Sequence, residues 1–498
     1  MEWIAKLLPE LWVFVNILLF LGFVGFYKSK NEMFSLYNIF NFSCIVLVFS
    51  LFFQLYWLNK LSSENIVSLD LMIGNLVIYS NGFFEIISKL LISIVSIFIV
   101  IMFGVYFGKG NEEFNHRYFR PDLLPLYLTV ILGSFVLVSS NDFLTFLIGF
   151  ELIAVPSYFM IAMDNRNKFA LEGSMKYFLI GSLATISIII AILIFYIYSG
   201  SLVFANNFAL LGLDFVGVKI AFIFLLIGIL IKLAAFPFSF WIQDAYFGSR
   251  SPYLLVISTL PKLVILIVFV KILSYVVDSW VSSILGLFSI FSMIMGTFWA
   301  LTSNDLKKIL AFSTVANIGY ILIPFSVVGN DIISNSQALA INYFYILQYV
   351  LSTMLFISVL LYLEEKYDSS DLSGLRGVLS NNPVLGIFMI ISLVSLAGLP
   401  PTAGFIGKFL LFSYSYTLAP ILVWIGIITS LISLYFYYRI AQYLYVKDAN
   451  ADRISVGFLQ FFSNSFLSVI IILIGFFPWF VINIIYFLSM SLLGNIKL

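Results

Sequence analysis

Long apolar runs separated by short polar ones dominate the chain. At about 20 apolar residues per membrane-crossing helix, the pattern predicts spans at 9–27, 36–58, 84–107, 123–140, 143–163, 170–198, 216–246, 253–276, 279–302, 306–325, 335–363, 382–416, 419–445 and 459–490. In hydrocarbon every backbone polar group must be satisfied within its own segment, so runs of this length predict helices. The expectation is an all-α polytopic membrane protein of about fourteen helices. An N-terminal three-helix segment would cover 1–110 and a C-terminal helix 459–498.

Two of these spans are interrupted. LLIGILIKLAAFPFSFWIQDAY, Leu225 to Tyr246, carries Lys232 and runs five residues later into Pro237. Proline cannot donate to the carbonyl of Leu233, which is left open to water or a moving side chain. SLAGLPPTAGFIGKF, Ser395 to Phe409, repeats the design, with Gly398, Pro400, Pro401 and Gly404 just before Lys408. Broken helices at corresponding places in two halves point to inverted repeats. The breaks fall in the seventh and twelfth spans, so one five-helix unit would occupy 123–276 and a second, inverted one 279–445.

Charge sorts the connections. Lys28, Lys30, Lys109, Arg117, Arg120, Arg166, Lys168, Arg250, Lys307, Lys308, Lys366, Arg376, Lys447 and Arg453 fall in odd-numbered connections, and the opposite side shows only Lys6, Lys60, Lys219, Lys271 and Lys497. Basic residues gather on the inner side, which predicts both termini outside. Lys89 beside Glu85, Lys176 beside Glu172, and Arg439 lie near span ends and read as pairs one turn apart or as snorkelling groups. Lys232, Lys262, Lys408 and Glu151 remain well inside spans. A lysine at the bilayer centre costs about 3 kcal/mol or several times that, so these four are candidate functional groups.

The composition narrows the chemistry. The 498 residues are 62% hydrophobic and 10% charged, with mean hydropathy +1.10 and net charge +1, which offers no basic face for nucleic acid. One cysteine, Cys44, and one histidine, His116, exclude a cysteine-ligated iron–sulfur cluster or a bis-histidine haem within the chain. Carboxylates, amines, hydroxyls and water are left. The start, MEWIAKLLPELWVF, resembles neither a transit peptide nor a cleaved signal. Abundant Phe (55) and Tyr (28) with Ile and Asn suit an AT-rich organelle genome.

Each candidate has a bland reading beside the functional one. Glu151, in FLTFLIGFELIAVPSYFMIAM, is either a hydrogen-bonded protonated carboxyl on a packing face or a partner of a lysine. If it meets Lys232, each stabilises the other's charge, and separating them frees the lysine to hand its proton on. Lys262, directly after Pro261, either snorkels to the inner interface or carries protons. Lys408, beside Gly404 and Gly407, is weighed alike. Ser313, Thr314, Asn317, Tyr320, Asn342, Tyr345 and Gln348 either hold a water path or simply join helices. Asp244 either caps the broken helix or pairs with Arg250, and His116 reads as a solvated loop residue.

NDFLTFLIGFEL, LEGSMKYFLIGS, GILIKLAAFPFSFWIQDAYFGS, TLPK, NDLKKILAFSTVANIGY, LAGLPPTAGFIGKF and SLISLYFYYR, in that order between Leu123 and Tyr445, resemble the subunit 2 family (subunit N in bacteria) of respiratory NADH:quinone oxidoreductase, complex I. Related antiporter-like subunits of multisubunit cation/proton antiporters share the fold. A lysine rather than a glutamate at 408, the YxGS element Tyr246–Ser249 in place of a histidine-bearing loop, and a length without a long C-terminal lateral helix favour the subunit 2 family among these relatives. The resemblance implies that Glu151 and Lys232 form a modulating pair, that Lys262 is the central proton carrier and that Lys408 is the terminal group toward the outside. It also implies no redox cofactor on this chain, with NADH, FMN, iron–sulfur clusters and ubiquinone elsewhere in the complex. The implied partners are other membrane-arm subunits, among them antiporter-like subunit 4 and the small membrane subunits, together with lipids. A mitochondrial inner membrane is expected, with a bacterial plasma membrane as the alternative. The chain departs from the family at Asn317, where many relatives carry histidine, and at Phe247 and Arg250, which replace an acid and a proline.

Overall fold

In the computed structural model, residues 6–27, 36–64, 68–73, 76–108, 120, 122–213, 215–276, 279–327, 332–367, 370–446 and 457–494 are described. His116, Lys28, Lys30, Lys109, Arg117, Lys447, Arg453 and Lys497 lie outside them, as does the side chain of Lys366, so that part of the charge-sorting expectation falls beyond the described residues.

Helices α1 (Leu8–Tyr27), α2 (Leu36–Glu64) and α3 (Phe83–Gly108) form the N-terminal segment. Next come α4 (Leu123–Ser139), α5 (Phe143–Ala162), α6 (Lys168–Ser199), the short α7 (Phe204–Ala209), α8 (Val216–Leu233), α9 (Phe240–Gly248) and α10 (Ser251–Leu273). The remainder is α11 (Ser279–Thr302), α12 (Leu306–Phe325), α13 (Ile332–Tyr367), the one-turn α14 (Val378–Asn381), α15 (Pro383–Ala397), α16 (Ala403–Ser415), α17 (Pro420–Tyr445), α18 (Phe458–Phe476) and α19 (Pro478–Gly494). Among the described residues, eleven helices are long and apolar enough to cross a membrane, and shorter apolar helices accompany them.

Two elements depart from the sequence expectation. The predicted C-terminal span at 459–490 is two helices. Pro478 forces its predecessor out of helical geometry, and Phe477 lies at φ −124°, ψ 60°. The connection between α2 and α3 holds an antiparallel hairpin, β1 (Ser68–Ile73) and β2 (Leu76–Gly82), with a bulge between Leu71 and Met72. Six- and seven-residue runs carrying Asp70, Ser80 and Asn81 are too short and too polar to register in a span-length reading.

Helix α10 is buried along its whole length and α13 nearly so, whereas α6 and α17 bury only a third of their residues. Large apolar side chains such as Leu183, Ile197, Ile421 and Tyr435 face outward, where lipid or neighbouring subunits would cover them. Two tight helical hairpins stand out, α4–α5 and α11–α12. A Cβ on Gly133 would lie 2.9 Å from the Ile153 nitrogen, and one on Gly296 2.5 Å from the Ala316 nitrogen, so glycine is what permits each close approach.

The second helix of each hairpin is capped alike. In Ser140-Asn141-Asp142, the aspartate accepts from the backbone of Leu144 (2.9 Å) and Thr145 (3.1 Å); in Ser303-Asn304-Asp305 it accepts from Lys307 (2.9 Å) and Lys308 (3.0 Å). Burial pushes the Asp305 carboxyl above its ordinary pKa, against those amides and the Ser370 hydroxyl. Asp142 bridges Val203, and Asp305 bridges Asp371. Asp142 lies on the hairpin face, since Ser140 bridges Tyr79. Asp305 lies on the opposite face, beside Lys307, Glu364 and Arg250.

Candidate functional site

Both breaks form by a left-handed turn ahead of the proline. Helix α8 ends at Leu233 because Ala234 adopts φ 61°, and its amide and that of Ala235 return to Ile231 (3.1 Å) and Leu230 (3.0 Å). The terminator is Ala234 and not Pro237, which sits in the linker to α9. Trp241 then donates its indole N–H to the Ile231 carbonyl (3.1 Å), and the Phe236 amide bonds Ser292 on α11 (2.9 Å). Helix α15 ends likewise at Gly398, φ 78°, whose amide returns to Val394 (3.0 Å) and Ser395 (3.1 Å). Cis X-Pro bonds follow in both linkers, Phe236-Pro237 and Pro400-Pro401.

Lys232 projects from the last turn of α8 into an aromatic cage. Its ammonium lies 4.8 Å over the Tyr158 ring, 5.1 Å over Phe150 and 5.5 Å over Tyr177, and it donates to the Tyr158 hydroxyl. Gly181 leaves the room, since a Cβ there would stand 3.0 Å from the amine. Glu151, two turns before Tyr158 on α5, accepts a hydrogen bond from Thr185 on α6 and is near enough to act electrostatically on Lys232. The structure thus gathers the two predicted partners in one site. They are not in contact, and Tyr158 is what Lys232 touches. Tyr177 completes the cage and stacks on Trp241 (4.3 Å, interplanar 10°), coupling it to the break.

Lys262 is 2% exposed and its amine has no hydrogen-bond partner, so it does not snorkel; it faces the Tyr246 ring at 5.2 Å. Proline at 261 frees the Ile257 carbonyl one turn earlier. Beyond it a polar tract crosses α12 and α13. Tyr349 donates to Thr314 (2.8 Å) and Tyr345 to Asn317 (2.7 Å), while Asn317 donates to the Ser313 carbonyl (2.8 Å). The Ser313 and Tyr437 hydroxyls pair, and Tyr320 donates to Thr429 (3.3 Å). Lys408 closes the tract, with its amine 5.0 Å over the Tyr320 ring and bonded to the Ala397 carbonyl at the second break (2.9 Å). Gln348 is buried with its side-chain carbonyl unpartnered, as is the whole Asn342 amide, and Gly407 packs against Gln348. Buried amides without protein partners are where ordered water is required.

The charge pairings differ from those expected. Lys89 does not pair with Glu85; it is buried and binds Glu10 and Asn81, while Glu85 pairs with Lys271 at 2.8 Å. Lys271, inside the predicted span 253–276, is a buried member of α10. Asp244 neither caps α9 nor meets Arg250; it binds Lys176 at 2.7 Å, which also holds Glu172 at 2.6 Å. Arg250 instead pairs with Asp164 (3.0 Å) and lies 3.8 Å from Glu364. Arg439 donates to the Leu301 and Ser303 carbonyls at a helix end. Tyr158, Tyr177, Tyr349 and Tyr437 carry no mark in the sequence, because tyrosine is so frequent in this chain, 28 residues in all, that only packing separates cage members from the rest.

Buried lysines beside two helix breaks, Lys232 and Lys408, with a third, Lys262, on the fully buried α10 of a polytopic helical protein, define the class: an antiporter-like membrane subunit. A family described as NADH:quinone oxidoreductase/Mrp antiporter, TM, matches residues 140–433, and the chain belongs to that family. The NADH-quinone oxidoreductase subunit N of Ruthia magnifica subsp. Calyptogena magnifica is 30% identical over 379 residues, 74% of this chain and 77% of the relative. The protein of the same description from Hydrogenovibrio crunogenus is 28% identical over 404 residues, 78% of this chain and 82% of the relative. A chain in the structure of respiratory complex I from Thermus thermophilus superposes with a TM-score of 0.76 at 25% identity, covering 95% of this chain and 98% of that one.

Proposed function

We propose that the chain is a subunit N of a proton-translocating NADH:quinone oxidoreductase, moving protons through its membrane-buried lysines while electron transfer proceeds in other subunits. The observation that carries this is the set of three buried amines, Lys232, Lys262 and Lys408, together with a hydrogen-bonded tract of hydroxyls and amides on α12 and α13 that ends at Lys408. Glu151 is the modulating carboxylate, Lys262 the central carrier and Lys408 the terminal group, with Ser313, Thr314, Asn317, Tyr320 and Gln348 lining the path. Asn317 cannot titrate, so protons cross that point by hydrogen-bond exchange with water. Pro237, Pro400 and Pro401 sit in breaks that admit water beside the lysines.

The two hairpins capped by Ser-Asn-Asp on opposite faces, and the two matching breaks, support an inverted repeat of 123–276 and 279–445. The hairpin face is assigned to the outside, and both termini with it, and the face of Arg166, Arg250 and Lys308 to the inside. Both named relatives are bacterial, which favours a bacterial plasma membrane over the mitochondrial one; AT-rich coding is common to organelles and many bacteria, so composition could not separate them. The partners are membrane-arm subunits, including an antiporter-like subunit 4 and small membrane subunits, with NADH, FMN, iron–sulfur clusters and ubiquinone held by the rest of the complex.

The test is Lys232→Ala in the intact complex, reconstituted in proteoliposomes. Coupled NADH:quinone turnover and proton uptake are expected to fall together, and full pumping by an assembled Lys232→Ala complex would overturn the reading. The rival, a cation/proton antiporter subunit, predicts purification without flavin and iron–sulfur subunits and salt-dependent proton exchange.

A further inference from the structure

A second buried charge cluster lies outside this set, under the hairpin. Glu10 of α1, Glu85 and Lys89 of α3 and Lys271 of α10 are all buried, at 5, 4, 1 and 3% exposure. Lys89 binds Glu10, Asn81 (2.6 Å) and the Tyr79 hydroxyl (3.1 Å), and Tyr79 donates to Glu10 (2.7 Å). Lys271 joins Glu85 (2.8 Å) and the Val138 carbonyl (3.1 Å), while Glu85 also accepts from Ser80 (3.2 Å) and the Gly82 amide (3.0 Å). One oxygen of Glu10 has no partner. Four charges taken out of water gain little net stability over apolar side chains of equal volume, so a staple alone is a poor reason to keep them.

The cluster is not isolated from the polar tract. On α13, Asn342 stands one turn from Tyr345, which holds Asn317, and its fully buried amide has neither donor nor acceptor satisfied. Its neighbour Tyr343 shares a hydrogen bond with Ser88 of α3 (3.1 Å), and Ser88 lies one turn from Glu85. Tyr343, Ser88 and Glu85 therefore form a short polar line from α13 to the underside of the hairpin, and ordered water at the unpartnered Asn342 amide would join it to the tract.

We propose that this line is a second proton exit, with Glu85 as the release carboxylate, distinct from the exit at Lys408. A proton entering at Tyr343 is matched by release of that hydroxyl's own proton to Ser88, and Ser88 does the same, so neither group changes charge. Glu85 takes the proton and becomes a neutral acid. Lys271 keeps its proton and loses its counter-charge, which favours return of the Glu85 proton to water at the hairpin and restores the pair.

The inference rests on the proton-translocating reading above, and the experiment separates the two. The intact complex carrying Tyr343→Phe with Ser88→Ala, which removes two hydroxyls and no charge, is reconstituted and its proton-to-electron ratio measured beside Lys232→Ala and Lys408→Ala. Loss of part of the ratio in the hydroxyl variant, a further loss when it is combined with Lys408→Ala, and a deficit in Glu85→Gln relieved in Glu85→Asp are expected. An unchanged ratio in the hydroxyl variant while Lys232→Ala is impaired overturns the second exit and leaves the general reading standing. An unimpaired Lys232→Ala overturns the general reading itself. A Glu85→Gln complex that fails to assemble while the hydroxyl variant pumps at the full ratio shows a structural staple only.

Discussion

At the first break the lysine has a phenol in contact and a carboxylate within electrostatic reach; at the second it has a backbone carbonyl and an aromatic face. Both amines are buried, at 4 and 6% exposure. Their charges are stabilised differently. The cage around Lys232 offers attraction that depends on the state of another titratable group, so its hold on a proton can be altered from outside. Lys408 rests on the Ala397 carbonyl, one of the orphan acceptors that every helix end leaves, and that acceptor is fixed. In the proposed relay, Lys232 would be the site whose hold on a proton is modulated and Lys408 the fixed one.

The strongest test of this difference is a double-mutant cycle. Glu151→Gln and Lys232→Ala should each depress coupled turnover, and their combination should fall short of additivity by about 1–3 kcal/mol. Glu151→Gln combined with Lys408→Ala should be additive, and equal coupling in both cycles would erase the distinction. Next in size is the backbone at the two turns. Gly398→Ala should destabilise the complex by about 1–3 kcal/mol, because φ is 78° and a Cβ would stand 2.6 Å from the Lys408 Cδ. Ala234→Gly should stabilise by up to about 1 kcal/mol; thermal inactivation of purified complex reads both.

Smaller again is the phenol comparison. Tyr158→Phe removes a hydroxyl that Lys232 uses and should cost about 1–2 kcal/mol of coupled activity, measured as turnover. Tyr320→Phe keeps the face that Lys408 uses and should cost less. If the two variants behave alike, the amines are not held in different ways. Smallest are the caps. Asp142→Ala and Asp305→Ala should each lower stability by about 1 kcal/mol, and a difference of several kcal/mol between them in thermal inactivation would argue against equivalent hairpins.

The helices were legible because hydrocarbon leaves so few options: runs of apolar residues, four charges inside them and prolines near two of the charges mark both breaks. The turn that makes each break was not legible. Gly398 invited a left-handed turn, but alanine at 234 carries no such mark, and the proline drew attention three residues too far on. Pairing was the least visible. Lys89 and Glu85 sit one turn apart and looked self-sufficient, yet the chain folds a hairpin and α10 against them and exchanges both partners. Spacing along one helix says which groups can meet, and only tertiary packing says which do. The cage tyrosines were hidden for a related reason, since nothing local distinguishes Tyr158 from Tyr198.

Helix α10 holds two lysines, Lys262 and Lys271, and is buried on every side. During biogenesis it must partition from the translocon on the strength of its Val, Ile, Leu and Phe residues, against about 3 kcal/mol for a lysine near its centre. Once its neighbours close around it, no lipid touches it. Its two amines therefore lie beyond the reach of bilayer thickness and headgroup charge, which act on α6 and α17 instead. A membrane of changed composition should alter how this subunit sits among its neighbours while leaving α10 at its centre undisturbed.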